Sequence, residues 1–187
     1  MSRLLLVRHG EASAGFGSDR DPGLSVEGHA QADAVAEQLA ERGPLALVTS
    51  PLRRCRETAA PLAARWSTDA IVEAGIAEVA APSDDLDERA RWLRGALAGS
   101  WADLEPGPRR WRNDTLETVR SLGRAHPDGA VLVTHFIVVN AVIGEAVSDD
   151  RVMVRRLDNG SITELDVDDD GSLRLVTGGE TGESRVW

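Results

Sequence analysis

Two histidines in this chain stand directly behind apolar runs. Leu4-Leu5-Leu6-Val7 leads into Arg8-His9-Gly10-Glu11, and Ala130-Val131-Leu132-Val133-Thr134 leads into His135-Phe136. A third run, Leu45 to Thr49, opens into Ser50-Pro51-Leu52-Arg53-Arg54. A neutral imidazole keeps a lone pair near pH 7 and can attack phosphorus. A guanidinium offers a planar fork of donors that fits phosphoryl oxygens. Two histidines and several arginines at three strand ends are therefore the parts of a phosphate site with a built-in nucleophile. Any single one of these pieces is equally well explained as an ordinary turn.

The elements that must bring those pieces together are legible as alternating patterns. Strand signals fall at Leu4–Val7, Leu45–Thr49, Ala70–Glu73 and Ala130–Thr134, with helical periodicity between them. That alternation predicts an α/β fold, a three-layer α/β/α sandwich on a mainly parallel sheet. If the first and fourth strands are neighbours, His9 and His135 meet at one sheet edge, where ligands bind in such sheets. Ser25 is expected to cap the first helix, with Ala32, Val35, Ala36 and Leu39 on its buried face and Gly43-Pro44 as its stop. The second helix is expected to start near Ser50-Pro51 and to be bent or shortened by Pro61. Further helices are predicted over 83–100, 113–125 and 136–146, the second of them starting only after a break at Gly107-Pro108. Late strands are expected at 152–156, 161–167 and 172–176.

Composition narrows the chemistry. The chain of 187 residues contains no Lys and no Tyr, so all 21 cationic residues are Arg. This excludes the P-loop lysine, Schiff-base chemistry and the kinase strand lysine. A net charge of −10 disfavours non-specific nucleic-acid binding but not a phosphate substrate, which responds to local arginines. The single cysteine excludes an internal disulfide, and the first apolar run is too short for a membrane span, so a cytoplasmic location is the expectation.

With those residues in place, the chain resembles the histidine phosphatase superfamily, also called phosphoglycerate-mutase-like. The matching pieces are Arg8-His9-Gly10-Glu11, Leu24-Ser25-Val26-Glu27-Gly28-His29-Ala30-Gln31-Ala32, Ser50-Pro51-Leu52 with Arg54, Thr58-Ala59, and Val133-Thr134-His135. The resemblance implies a metal-independent phosphomonoester hydrolase with no cofactor, working through a phosphohistidine. By motif position His9 would be the nucleophile, and Arg8, Arg54 and His135 would hold the phosphoryl oxygens. Glu78, after the third strand, would be the general acid, with Asp84 and Asp85 as substitutes. The expected partner is a small phosphorylated metabolite, with no nucleic acid and no membrane. A protein phosphohistidine phosphatase and a non-catalytic phosphate-binding scaffold are the alternatives. A metal hydrolase using His9 and His135 lacks a third ligand at any suitable spacing.

The remaining assignments are structural. One domain is expected over 1–177, with 83–112 as a small lid insertion and 178–187 as a loose tail. Trp92, Trp101 and Trp111 lie in that insertion and either face substrate or anchor packing. Cys55 lies among arginines, but the Cys-based phosphatase loop needs Arg where Pro61 stands, which makes Cys55 a packed helix residue. Asn140 is assigned to the core, and Asp158-Asn159-Gly160 to a turn before a strand.

Overall fold

Along the first strand, β1 (Ser2–Arg8), both faces are apolar: Leu4 and Leu6 enter one core, while Leu5 and Val7 enter another. A strand buried on both faces needs a layer on each side of its sheet. The computed structural model, which describes residues 1–15, 19 and 21–178, supplies both layers. Helices α1 (Val26–Leu39) and α2 (Arg53–Trp66) cover one face, burying Val35, Ala36, Leu39, Ala59 and Leu62. Helices α3 (Leu86–Ala98), α4 (Pro106–Ala125) and α5 (Phe136–Val147) cover the other, in a larger core that includes Leu93, Leu97, Leu116, Val119 and Ile137.

The sheet has six strands: β1, β2 (Ala46–Thr49), β3 (Ile71–Val72), β4 (Ala130–Thr134), β5 (Ile162–Val167) and β6 (Leu173–Thr177). Their spatial order is β3-β2-β4-β1-β5-β6, with β3, β2, β4 and β1 parallel and β5 antiparallel to both of its neighbours. The fold is thus the expected α/β type on a mixed sheet. Register does the decisive work. Arg8 pairs with Thr134 and Thr49 with Val133, so β1, β4 and β2 end side by side.

Four local expectations are corrected. Helix α2 begins at Arg53 after Leu52, which has no side-chain cap; Ser50 lies before the helix, where its hydroxyl accepts from Leu52 N–H at 3.3 Å and also meets His135. Pro61 lies inside α2 and does not end it; the helix runs on to Trp66, held by the buried face of Cys55, Ala59 and Leu62. Gly107-Pro108 does not delay α4, which starts at Pro106, since proline is tolerated in a first turn whose N–H groups are unpaired anyway. Residues 152–156 form no strand. Their backbone donors at Val154 and Arg155 both bond Asn140 Oδ1, at 2.8 Å each, which makes Asn140 a buried core residue as expected.

In the 83–112 segment, Trp101 is buried and stacks on Trp111 with ring centroids 5.8 Å apart, and Trp92 and Trp111 pack against the same core. The expected loose tail lies, apart from Gly178, outside the described residues. Among the described residues no helix is long and apolar enough to cross a membrane.

Candidate active site

The ends of β1, β4 and β2 deliver Arg8-His9, His135 and Ser50 to one edge, and the first turn of α2 adds Arg54. Backbone bonds fix the junction: His9 N–H donates to Thr134 O at 2.9 Å, and Ser50 N–H to Val133 O at 3.0 Å. All four of Arg8, His9, Arg54 and His135 are buried. The two imidazoles face each other edge to face with centroids 5.2 Å apart. The Arg54 guanidinium lies between them, with Nε donating to His9 Nε2 at 3.1 Å and Nη2 to His135 Nδ1 at 3.2 Å.

That geometry settles which His9 nitrogen is free for chemistry. Nδ1 lies 2.7 Å from Gly10 O, which can only accept, so Nδ1 carries the proton and Nε2 the lone pair. Burial, reinforced by Arg54 and Arg8, holds His9 well below the usual histidine range and therefore neutral. His135 is held low for the same leading reason, with His9 and both arginines adding to it. Because its Nδ1 accepts from Arg54, the neutral ring carries its proton on Nε2, which donates to Ser50 Oγ at 2.7 Å.

Arg8 is anchored from behind. Its Nη1 donates to Leu157 O, and its guanidinium lies 5.0 Å from the centroid of the Phe136 ring. Phe136 therefore supports an arginine, a cation–π arrangement that position in the sequence did not suggest. Burial pulls Arg8 down to about 10, against the opposing pull of Glu78 and Asp158. Glu78 is half-buried and accepts from Val79 N–H at 3.2 Å, and the backbone of Ile137 in the first turn of α5 also favours its carboxylate. Burial pushes its carboxyl up to about 7, although Arg54, those bonds and Arg8 oppose the rise. Glu78 thus belongs to the electrostatic surroundings of both arginines. By contrast, Asp85 caps α3 by accepting from Glu88 N–H.

The loop motif around Ser25 is a buttress for this site. Ser25 caps α1 and donates to Glu11 Oε1 at 2.8 Å, and Gln31 Oε1 accepts from Glu11 N–H at 2.8 Å. The backbones touch so closely that a Cβ on Gly28 would lie 2.1 Å from Glu11 O. Glu11 is hence a structural polar residue of the loop. Cys55 Sγ packs 3.4 Å from His135 Nε2, and burial pushes its thiol up, so it stays protonated. Ser50 is the site residue that sequence reasoning missed. Its signal was its place behind a parallel strand, one residue beyond the register that aligns β2 with β4. Among the described residues no group of three or more His, Cys, Asp or Glu side chains is arranged to hold a metal ion.

Comparisons with known proteins agree with this fold. An uncharacterized protein of Mycobacterium tuberculosis is 42% identical over 133 residues, covering 69% of this chain and 61% of that relative. The chain thus matches about three-fifths of the length of that curated relative. Glucosyl-3-phosphoglycerate phosphatase of the same species is 32% identical over 180 residues, covering 87% of this chain and 73% of the relative. The solved structure of a mycobacterial glucosyl-3-phosphoglycerate phosphatase complexed with VO3 superposes with a TM-score of 0.77 at 24% identity, over 97% of this chain and all of that one. Entamoeba histolytica phosphoserine phosphatase gives 0.76 at 21% identity, over 97% and 98% of the two chains. The model of the histidine phosphatase superfamily (branch 1) matches residues 4–178, and the chain belongs to that family.

Proposed function

We propose that the chain is a cytoplasmic, metal-independent phosphomonoester hydrolase that acts on a small phosphorylated metabolite through a phosphohistidine at His9. The observation that carries this is the His9 ring itself: Nδ1 is tied to Gly10 O, and Nε2 is presented, neutral, to the guanidinium of Arg54. Relatives named for the hydrolysis of glucosyl-3-phosphoglycerate and phosphoserine support the metabolite class.

In this mechanism the phosphoryl group enters between His9 and His135, and its oxygens replace the imidazoles as partners of Arg54. Arg8 supplies further donors. Once Arg54 has left His135 Nδ1, the ring takes its other tautomer: the Ser50 hydroxyl turns to donate to Nε2, and Nδ1–H donates to a phosphoryl oxygen. His9 Nε2 forms the N–P bond as the ester P–O bond breaks in line, and Glu78 gives its proton to the leaving oxygen. Water then attacks phosphorus, the Glu78 carboxylate takes the water proton, the N–P bond breaks, and phosphate departs with His9 restored. Preorganised donors stabilise the charge that spreads over the equatorial oxygens, and each is worth about 3–4 kcal/mol in comparable sites.

The test is phosphate release from p-nitrophenyl phosphate in EDTA, comparing wild type with His9→Ala. Activity that survives chelation, vanishes in the variant and leaves an acid-labile phosphoryl label on wild type supports the mechanism. Equal rates for the two proteins would sink it.

A further inference from the structure

The peptide unit joining His9 to Gly10 is gripped at both of its polar atoms. Its carbonyl accepts from Asn159 Nδ2 at 2.9 Å, and its N–H donates to Thr58 Oγ1 at 3.0 Å. The two gripping side chains come from separate elements, Thr58 from the buried face of α2 and Asn159 from the loop that enters β5. Each is itself anchored. Thr58 spends its own proton on Arg54 O at 2.7 Å, which leaves its lone pairs for Gly10. Directly after Asn159 the loop is bonded to β1: Gly160 N–H donates to Arg8 O at 2.9 Å, and Arg8 N–H to Ser161 O at 3.0 Å.

The consequence falls one atom group further on. The Gly10 carbonyl is what holds the His9 Nδ1 proton, at 2.7 Å. Glycine has wide backbone freedom, so its carbonyl stays beneath the imidazole when the peptides on both sides of it are held: Gln31 holds the one that carries the carbonyl, through Glu11 N–H, and the His9–Gly10 peptide is the other. A Gly10 side chain cannot do this, because a Cβ there would lie 2.4 Å from Gly28 O. The grip must come from neighbours.

We propose that Asn159 and Thr58 are positioning residues that fix the His9–Gly10 peptide, and so keep the His9 proton on Nδ1 and the lone pair on Nε2. The proposal rests on His9 being the nucleophile. Asn159 thereby has a part in the reaction that a turn before a strand does not have, exerted through the His9–Gly10 peptide.

Nitrogen-15 NMR of the histidine rings reads the tautomer directly and needs no turnover. Wild type is expected to show His9 as the Nδ1–H form. Thr58→Val and Asn159→Ala, which release opposite ends of one peptide, are expected to give a mixture of tautomers. Their kcat on p-nitrophenyl phosphate should fall about tenfold to a hundredfold with KM within about twofold, as for misplaced rather than missing groups. Thr58→Ser, which restores the hydroxyl, should recover most of the loss. Variants that fold and keep both the wild-type tautomer and the wild-type kcat overturn the proposal. If only one variant folds, that one decides; unfolding of both would make the pair structural and overturn it equally. A wild type with the Nδ1–H tautomer but no phosphatase activity would instead refute the proposed function and leave the grip standing.

Discussion

Replacing Glu78 with glutamine should make the protein more stable and less active, and the size of the first effect follows from the carboxyl's surroundings. Burial pushes Glu78 from an ordinary 4.5 up to about 7. Ionising it in the folded state therefore costs about 3 kcal/mol more than in the unfolded chain. The sign depends on which state keeps the proton. Below about pH 4.5 both states are protonated and the residue is neutral to stability. Between there and about 7 the unfolded chain releases its proton while the folded protein keeps it, so stability falls as pH rises. Above that window the full cost is in force. Glutamine can still accept from Val79 N–H but never ionises. The variant should match wild type near about pH 4 and exceed it by about 3 kcal/mol near about pH 8, a Tm gain of roughly 6–12 °C for a chain of this length. Circular-dichroism melts of both proteins at both pH values measure this, and the comparison cancels every other titrating group. A difference independent of pH, or a variant less stable at the higher pH, would refute a carboxyl pushed up by burial. In the same variant, hydrolysis of an alkyl phosphate should fall by about 10²–10⁴-fold, and that of p-nitrophenyl phosphate far less, because only the poor leaving group needs the proton.

Arg54→Lys should lower kcat/KM by about 10²–10³-fold in steady-state assays, because an ammonium cannot bridge the space that Nε and Nη2 now span; a loss under about tenfold would take Arg54 out of the site. Ser50→Ala deprives His135 Nε2 of its hydroxyl and should cost about tenfold in kcat, whereas an unchanged rate would return Ser50 to a purely structural role. Gly28→Ala would gain about 1 kcal/mol by helix propensity alone. With the new Cβ only 2.1 Å from Glu11 O, it should instead lose about 2–3 kcal/mol in urea unfolding. Inorganic phosphate at about a hundred times its Kd should stabilise wild type by about 2.7 kcal/mol in thermal melts, and Arg54→Lys should abolish most of that gain.

The strands that carry the site were readable because each is a continuous apolar run ending abruptly in a polar residue, the pattern of a strand buried on both faces. Reading Leu4–Val7 and Ala130–Thr134 as strands placed His9 and His135 at possible neighbouring ends. What made them neighbours is the pairing of Arg8 with Thr134, a long-range register that local pattern does not encode. The misplaced start of α2 has the same origin. Ser50 has the composition of a helix cap, and its hydroxyl, which still takes the Leu52 N–H, is shared with His135 arriving from β4. Residues 152–156 have strand-like composition, but a single buried amide on α5 takes two of their backbone donors. In each case a side chain from a distant element outbids the local preference, and the functional edge of the sheet is where such elements converge.

The charge balance of the site explains why these groups are held so firmly by neutral partners. Two buried guanidiniums lie beside two imidazoles that burial keeps uncharged, with one carboxyl near its midpoint at neutral pH. Arg8 illustrates the strain: its fall to about 10 means that lost hydration outweighs the attraction of Glu78 and Asp158. A buried cation in that condition is stabilised by whatever anion next occupies the site. The carbonyl of Leu157, the ring of Phe136 and the lone pairs of His9 and His135 supply partial charge, which orients the arginines without neutralising them. A full counter-carboxylate at hydrogen-bond distance would compete with phosphate for the same donors. Asp21, the acidic group paired with Arg54, stays 3.9 Å away and is partly exposed, where solvent weakens its hold. The protein thus keeps its cations oriented and underneutralised, and a phosphoryl dianion is the ligand that completes the balance.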